Sequence, residues 1–520
     1  MASVFYTDFG SPDAAMEYCR AHENTHLIIP EGDYEITSPP AVEAMEHVIR
    51  GDWGSNPQRV MFNRNYVYAR GMDLSGQKGT VIEAYGARFM VKGFMEVVTV
   101  ADCENVTIGG LTIDHVRKPY SYGKVTKCSG SEIEITLDKS CRVEKGTPVA
   151  LRYIFYDPET QKHIRFRLSD IRVADAYHIS AKSEDPVREG MEFYTVHTFH
   201  SRPAILLERS KNIRLSDVTI HSMCGMGIVG NRCEDIDIER LHVIPSRGQH
   251  FSTNTDATHF TACKGRLRIA DSEFEAQGDD FTNIHAYYQQ VVGQVGENTY
   301  LIQEKTPDGT HTQTPDYPDV GDVLELTDFS TLGCLGRRRV IGCEMLYDKY
   351  MAKVTLDAPL PATDGLLLSD ITRLPYVEIE GCTSKSHFAR GVLLKTRGAR
   401  VRGNTFTETQ GPAIECAAEA RWQEGVCPAD IEICGNNIYG CATKFGKASG
   451  IVVMADCDTP TGQSIFNIKI EDNTILCPES AHGIYCRNVD GLTVSGNRIS
   501  AKAQEIVIED CSNVKTDAFV

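Results

Sequence analysis

Apolar and polar residues alternate along this chain in short runs that close on a small or acidic residue, often followed by asparagine. Val401-Arg402-Gly403-Asn404, Ile431-Glu432-Ile433-Cys434-Gly435-Asn436, Ile468-Lys469-Ile470-Glu471-Asp472-Asn473 and Leu492-Thr493-Val494-Ser495-Gly496-Asn497 set their asparagines 32, 37 and 24 residues apart. Val106-Thr107-Ile108-Gly109, Ile213-Arg214-Leu215-Ser216, Ile236-Asp237-Ile238-Glu239 and Leu267-Arg268-Ile269-Ala270 follow the same template. A period of two is that of a strand with one buried face. A second series, Gly391-Val392-Leu393-Leu394, Gly450-Ile451-Val452-Val453 and Gly483-Ile484-Tyr485, precedes members of the first. Strands this short are unstable alone, but stacked about 4.8 Å apart they build a continuous core. Asparagine and glycine after each strand suit the left-handed backbone of a coil that turns a corner. A β-sandwich also has many short strands, but without a shared template. The pattern predicts an all-β right-handed parallel β-helix.

Residues 1–122 read as an N-terminal cap and first rungs, with helical spacing in Asp13-Ala14-Ala15-Met16-Glu17-Tyr18-Cys19 before Leu27-Ile28-Ile29 enters the coil. Solenoids need such a cover, because an open end exposes core and unpaired strand edges. Two stretches break the rung pattern. Residues 123–197, with Glu132-Ile133-Glu134-Ile135-Thr136-Leu137, and 289–372, with Val323-Leu324-Glu325-Leu326 and Ala352-Lys353-Val354-Thr355-Leu356, read as small antiparallel β-barrels inserted into the helix. Their β-branched content disfavours long disordered loops. Rungs resume over 198–288 and 373–520.

With 520 residues, an elongated solenoid escapes the usual division into several compact domains. The formal charge of −18 repels a phosphate backbone, so no nucleic-acid partner is expected; Arg337-Arg338-Arg339 is too short a basic run to override it. No long apolar stretch predicts a membrane span. The first residues lack the basic and apolar regions of a secretory signal, which leads to the expectation of a cytoplasmic protein. The 18 cysteines are then reduced thiols. No Cys-x-x-Cys pair suggests zinc, and cysteines such as Cys382, Cys434 and Cys511 read as small buried apolar residues.

The chemistry gathers in Asn254-Thr255-Asp256-Ala257-Thr258-His259-Phe260 and Gln277-Gly278-Asp279-Asp280-Phe281-Thr282-Asn283-Ile284-His285. Asp256 and Asp279 are 23 residues apart, about one coil, so their side chains are expected on neighbouring rungs. Gly278 permits a bend that turns Asp280 outward as well. Three carboxylates this close cannot all ionise comfortably, and one is expected to hold its proton near neutrality. A protonated acid beside an ionised base is what glycoside hydrolysis requires, with inversion if about 6.5–9.5 Å between them admits a water. Aspartates at solenoid corners also cap turns, and acidic ladders hold calcium; the third aspartate one rung away favours catalysis, without metal or other cofactor.

Asn254-Thr255-Asp256, Gly278-Asp279-Asp280 and Arg390 with Lys395 five residues on resemble the polygalacturonases, inverting β-helix hydrolases, although their Gly-His-Gly and Arg-Ile-Lys motifs are missing. The chain more closely resembles glycoside hydrolase family 110, the α-1,3-galactosidases that act on blood-group-B-type glycans and interrupt a β-helix with small barrels. That resemblance runs through the cap, Ile113-Asp114-His115-Val116-Arg117-Lys118-Pro119, the two aspartate motifs, Arg390-Gly391-Val392-Leu393-Leu394 and Trp422-Gln423-Glu424-Gly425. Gln423 within the last motif and Ala286 after His285 depart from the family pattern.

The resemblance implies Asp279 as general acid, with Asp256 and Asp280 sharing the base role. Asn283 and His285 become candidates for binding sugar hydroxyls, Arg390 and Lys395 for crossing the cleft or restraining the acids, and Trp422 for stacking on galactose with Glu424 accepting from a hydroxyl. His259 reads as a supporting or core residue. The implied function is an exo-acting inverting hydrolase releasing terminal α-1,3-linked galactose from a glycan, in a possible homodimer. A polygalacturonase-like hydrolase, a uronate lyase and a non-catalytic glycan-binding β-helix are the alternatives.

Overall fold

The computed structural model describes the chain apart from residues 1, 62, 64–65, 304–315, 348–349, 362, 444–447 and 518–520. Three sheets of 13, 12 and 11 strands form the walls of one β-helix, parallel throughout except for the two-residue strand Glu424–Gly425, which pairs antiparallel in the second, and the coil is wound in the right-handed sense that parallel crossovers adopt. The first sequence series lies in the 13-stranded sheet and the second in the 12-stranded sheet. The third wall has strands as short as Thr219–Ile220 and His242–Val243, too brief to show alternation.

The core is built by register. Ile213, Ile236, Leu267, Val377, Ala399, Ile431, Ile468 and Leu492 stack along the first sheet. Each is nearly or fully buried, and a large aliphatic side chain buried in this way contributes about 1.5–3 kcal/mol.

The corners differ from the sequence expectation. The left-handed positions are Gly403, Gly435, Asp472 and Gly496, each with φ between 56° and 63°. The asparagine after each turns inward instead. Asn404 donates its side-chain amide to Asn436 at 3.0 Å, Asn436 to Asn473 at 2.9 Å, and Asn473 to Asn497 at 2.9 Å. A glycine or aspartate tolerates the corner, and the asparagine satisfies buried backbone beneath it.

The helix Pro12–Ala21 covers the first rungs with Ala15, Met16 and Cys19 buried. A second cap helix, Pro39–Arg50, buries Ala41, Ala44, Met45, Val48 and Ile49 and ends on left-handed Gly51. All 18 cysteines are free thiols. Cys382 is buried, whereas Cys434 and Cys511 are half-buried.

The first insertion is a seven-stranded antiparallel sheet running from Tyr120–Ser129 to Glu192–Val196, wrapped on its own core of Val125, Ile135, Phe155 and Phe193. The second is a closed barrel whose strands run from Gln289–Gln294 to Leu366–Asp370. Tyr120, Tyr194, Phe251 and Phe388 join the first insertion to the helix, and the Tyr120 hydroxyl donates to the carbonyl of Phe251 at 2.8 Å. The second is tied down by Arg397, which donates to both Glu325 carboxylate oxygens at 2.8 and 2.5 Å.

Candidate active site

The strands Thr258–Thr261, Thr282–Tyr287 and Val392–Lys395 follow one another in the 12-stranded sheet. Their pairing sets His259 beside Asn283 and Thr261 beside His285, with Leu393 and Lys395 next in each row. Parallel bonding continues back into the preceding corner: the amide of Ala257 donates to the carbonyl of Asp280 at 2.9 Å, and that of Phe281 to the carbonyl of Arg390 at 3.1 Å. Asp256, Asp280 and Arg390 therefore stand in register on three successive turns. The register partner of Asp256 is Asp280, one residue beyond the 23-residue spacing, and Asp279 joins them from the adjoining bend. Gly278 serves close approach here, since a Cβ at that position would lie 2.1 Å from the carbonyl oxygen of Asn254.

One carboxylate oxygen from each of Asp256, Asp279 and Asp280 lies within 4.8 Å of the other two, closer than the separation anticipated for an acid and base on diverging side chains. Each carboxylate has its own partner. Asp279 accepts from both terminal nitrogens of Arg152 at 3.1 Å. Asp280 accepts from the Arg390 amide at 2.7 Å and its guanidinium at 2.8 Å. Asp256 meets His259 Nδ1 at 2.7 Å, and His259 Nε2 meets His285 Nε2 at 3.0 Å. Burial pushes His285 down to about 3, so its ring is neutral. Its Nδ1 lies 2.8 Å from the carbonyl of Ala286, which can only accept, so the His285 proton sits on Nδ1. His285 Nε2 then accepts from His259 Nε2–H, and one further proton occupies the Asp256–His259 hydrogen bond. These three oxygens could also share a cation, but the side chains of Arg152 and Arg390 already donate to two of the carboxylates, unlike an oxygen-only calcium cage.

The electrostatics divide the adjacent pair. Burial raises Asp280 well above the usual carboxylate range, and the charges of Asp279 and Asp256 add to it against the pull of Arg390. Burial acts on Asp279 too, but Arg152, Arg390 and His200 outweigh it and hold that carboxyl below its ordinary value. In the free site the proton shared by this pair rests on Asp280. Asp279 is the most open of the three, with its side chain 20% exposed, while Asp256 and Asp280 are buried.

The cluster faces a cavity of about 770 Å³. Asn283, His285, Arg390, Trp422 and Glu424 all line it. Trp422 is 54% exposed, so its ring belongs to the cavity mouth rather than to the core. Lys395 does not line the cavity. It is fully buried between Glu419 and Glu424, 2.9 Å from each, and holds those carboxylates in place instead of crossing to a ligand. Glu424 also accepts from Asn283 at 3.3 Å. His259, read from the sequence as supporting, lines the cavity and contacts Asp256 directly.

Sequence reasoning missed Arg152, Arg165, Phe199 and His200, which line the same cavity. Arg152 and Arg165 belong to the first insertion. No spacing rule links a residue there to a motif more than a hundred positions later, and only the packing of the insertion onto the coil brings them together. They also make the cavity more basic than the motifs alone suggested.

No family model matches the chain. Its relatives include α-1,3-galactosidase B of Bacteroides thetaiotaomicron, 24% identical with 98% of this chain and 89% of that protein covered. The α-1,3-galactosidase A of Bacteroides fragilis is 26% identical over 94% of this chain and 86% of that protein. The chain resembles the α-1,3-galactosidases of glycoside hydrolase family 110. The α-1,3-galactosidase A of Shewanella woodyi adds 26% identity over 90% and 81% of the two chains. Among solved structures, a family 28 exopolygalacturonase of Yersinia enterocolitica aligns at 9% identity with a TM-score of 0.41, covering 100% of this chain and 79% of that one.

Proposed function

We propose that this chain is a glycoside hydrolase that removes terminal α-1,3-linked galactose from glycans, acting at the chain end and inverting the anomeric centre. The observation that carries the reading is the trio Asp256, Asp279 and Asp280, held by three different partners at the floor of a sugar-sized cavity. Similarity to α-1,3-galactosidases over nearly the whole chain supports the sugar and the linkage.

Asp256 and Asp280 share one register on adjacent turns. A water between carboxylate oxygens less than 5 Å apart can bond to both, and we assign these two the task of orienting it; inversion is thus proposed from a water held beside the acid, in place of the wider acid–base gap usual for inverting pairs. Asp279, more open and on the side of the Arg152 wall, is assigned to protonate the departing oxygen. The proton that rests on Asp280 in the free site must then pass to Asp279 once a glycoside displaces solvent between them, so the cluster titrates as one unit. Glu415, Glu419 and Glu424 near Trp422 accept from hydroxyls of a neutral sugar and would repel a uronate carboxylate at that end, which argues against the polygalacturonase-like reading.

Proton NMR of the reaction on the methyl β-glycoside of Gal-α-1,3-Gal, whose leaving sugar is anomerically locked and adds no free galactose of its own, tests this. Galactose should appear first as the β-anomer. Initial release of α-galactose would refute inversion, and no release from this disaccharide or from an aryl α-galactoside would refute the proposed activity.

A further inference from the structure

The cavity is chemically divided. At one end stand three glutamates, Glu415, Glu419 and Glu424, with the exposed ring of Trp422. At the other stand Arg152 and Arg165 of the first insertion and Phe199 and His200 of the segment that returns to the helix. The aspartates lie between the two, and Asp279 is bonded to the second wall through Arg152. Along the strands, Asp256 and Asp280 sit at the corner, His259 and Asn283 follow, and His285 and Glu424 lie further on, away from that corner. A volume of about 770 Å³ is ample for more than the single galactose that the glutamate end would take.

We propose that the wall made by Arg152, Arg165, Phe199 and His200 is the subsite for the sugar on the leaving side of the scissile bond. The inference rests on the hydrolase reading above and adds which part of the molecule recognises the rest of the glycan. Phe199 provides an apolar ring, with the Arg152 guanidinium carbon 4.6 Å from its centroid. That arrangement fixes both groups in the cavity lining, with the guanidinium covering one face of the ring and the apolar part of the pair available to the CH surface of a sugar. Arg152 and Arg165 supply N–H donors and no acceptors, so this wall favours a sugar presenting acceptors, such as ring and hydroxyl oxygens or an acetamido carbonyl. The glutamate wall favours a sugar presenting hydroxyl donors. Burial and the adjacent Arg152 push Arg165 down to about 10, and it remains a cation at neutral pH. The geometry also explains why an inserted domain should touch the catalytic cluster at all: the leaving group is bound by the same element that holds the residue beside its departing oxygen.

The test compares two substrates that differ only in the leaving group, the Gal-α-1,3-Gal disaccharide and α-galactosyl fluoride, whose fluoride reaches no second sugar subsite. Arg165→Met and Phe199→Ala should each lose at least tenfold more kcat/KM on the disaccharide than on the fluoride, with most of the loss in KM. Arg165→Lys should recover part of it, and thermal unfolding of each variant reports whether the fold is intact. Equal losses on the two substrates in folded variants would overturn the subsite. If the unaltered protein cleaves neither substrate, the hydrolase reading fails and the subsite falls with it. If it cleaves both but the variants do not separate them, only the subsite falls.

Discussion

Two stretches of the same solenoid place polar side chains at the corners of successive turns, and they use them in opposite ways. In the C-terminal turns, Asn404, Asn436, Asn473 and Asn497 point inward and bond to one another and to backbone carbonyls such as Val401 and Ile433. Every amide has a partner of the same kind one turn away, and no charge is involved. In the central turns, Asp256 and Asp280 occupy matching positions on adjacent turns, but they are acids with another acid beside them. Their partners come from elsewhere: Arg152 from an insertion, Arg390 from the turn after the barrel, His259 from the next strand. A uniform neutral ladder satisfies itself and serves stability. A cluster of like charges that needs imported cations is costly to the fold and persists where chemistry uses it.

Substitutions at three places separate the two kinds of corner. The largest effect is expected at the aspartates. Asp279→Asn, Asp256→Asn and Asp280→Asn should each lower kcat on the disaccharide by about 10²–10⁴-fold, with thermal unfolding unchanged or slightly higher for Asp280→Asn, whose burial and like-charged neighbours disfavour its charge, and lower for Asp279→Asn, which gives up its ion pair with Arg152. A variant that unfolds early yet keeps its activity would place that residue in the structural class.

Asn436→Ala should do the reverse. The Asn436 amide donates to Val401 and Asn473, and its oxygen accepts from the amide and side chain of Asn404, all within 3.0 Å. Stranding such buried groups costs about 1–3 kcal/mol each, so denaturant unfolding should show a loss of about 3 kcal/mol with kcat/KM of the folded protein unchanged. A stability change below about 1 kcal/mol would show that the ladder is replaceable.

The smallest and most diagnostic effect concerns Arg152. This cation lowers the proton affinity of Asp279. Arg152→Met should therefore move the pH–activity profile to higher pH, by roughly one unit for loss of a close opposite charge, with Arg152→Lys in between. Loss of activity without displacement of the profile would mean that Arg152 merely braces the insertion.

Much of this could be read from residues alone, and the gaps have physical causes. Strand alternation revealed two walls of the coil, because runs such as Ile468-Lys469-Ile470 are long enough to show their period. The third wall, with strands as short as two residues, has no period to show. The recurrence of asparagine was visible, but not its direction: Gly403 takes the left-handed turn and Asn404 the interior. The aspartates stood out because three acids lie within one coil length. Arg152 and Phe199 did not, since their place depends on how an insertion docks through Tyr120, Phe251 and Phe388. Lys395 was chosen for its charge and spacing from Arg390, yet its register beside His285 carries it under the sheet surface between two glutamates.

A structure of Asp279→Asn bound to Gal-α-1,3-Gal would bear most directly on the site. The disaccharide should span the cavity with its anomeric carbon beside Asp256 and Asp280, the linking oxygen at the substituted side chain, and the second sugar against Phe199. Binding on another face of the coil, or an anomeric carbon far from all three positions, would contradict the account.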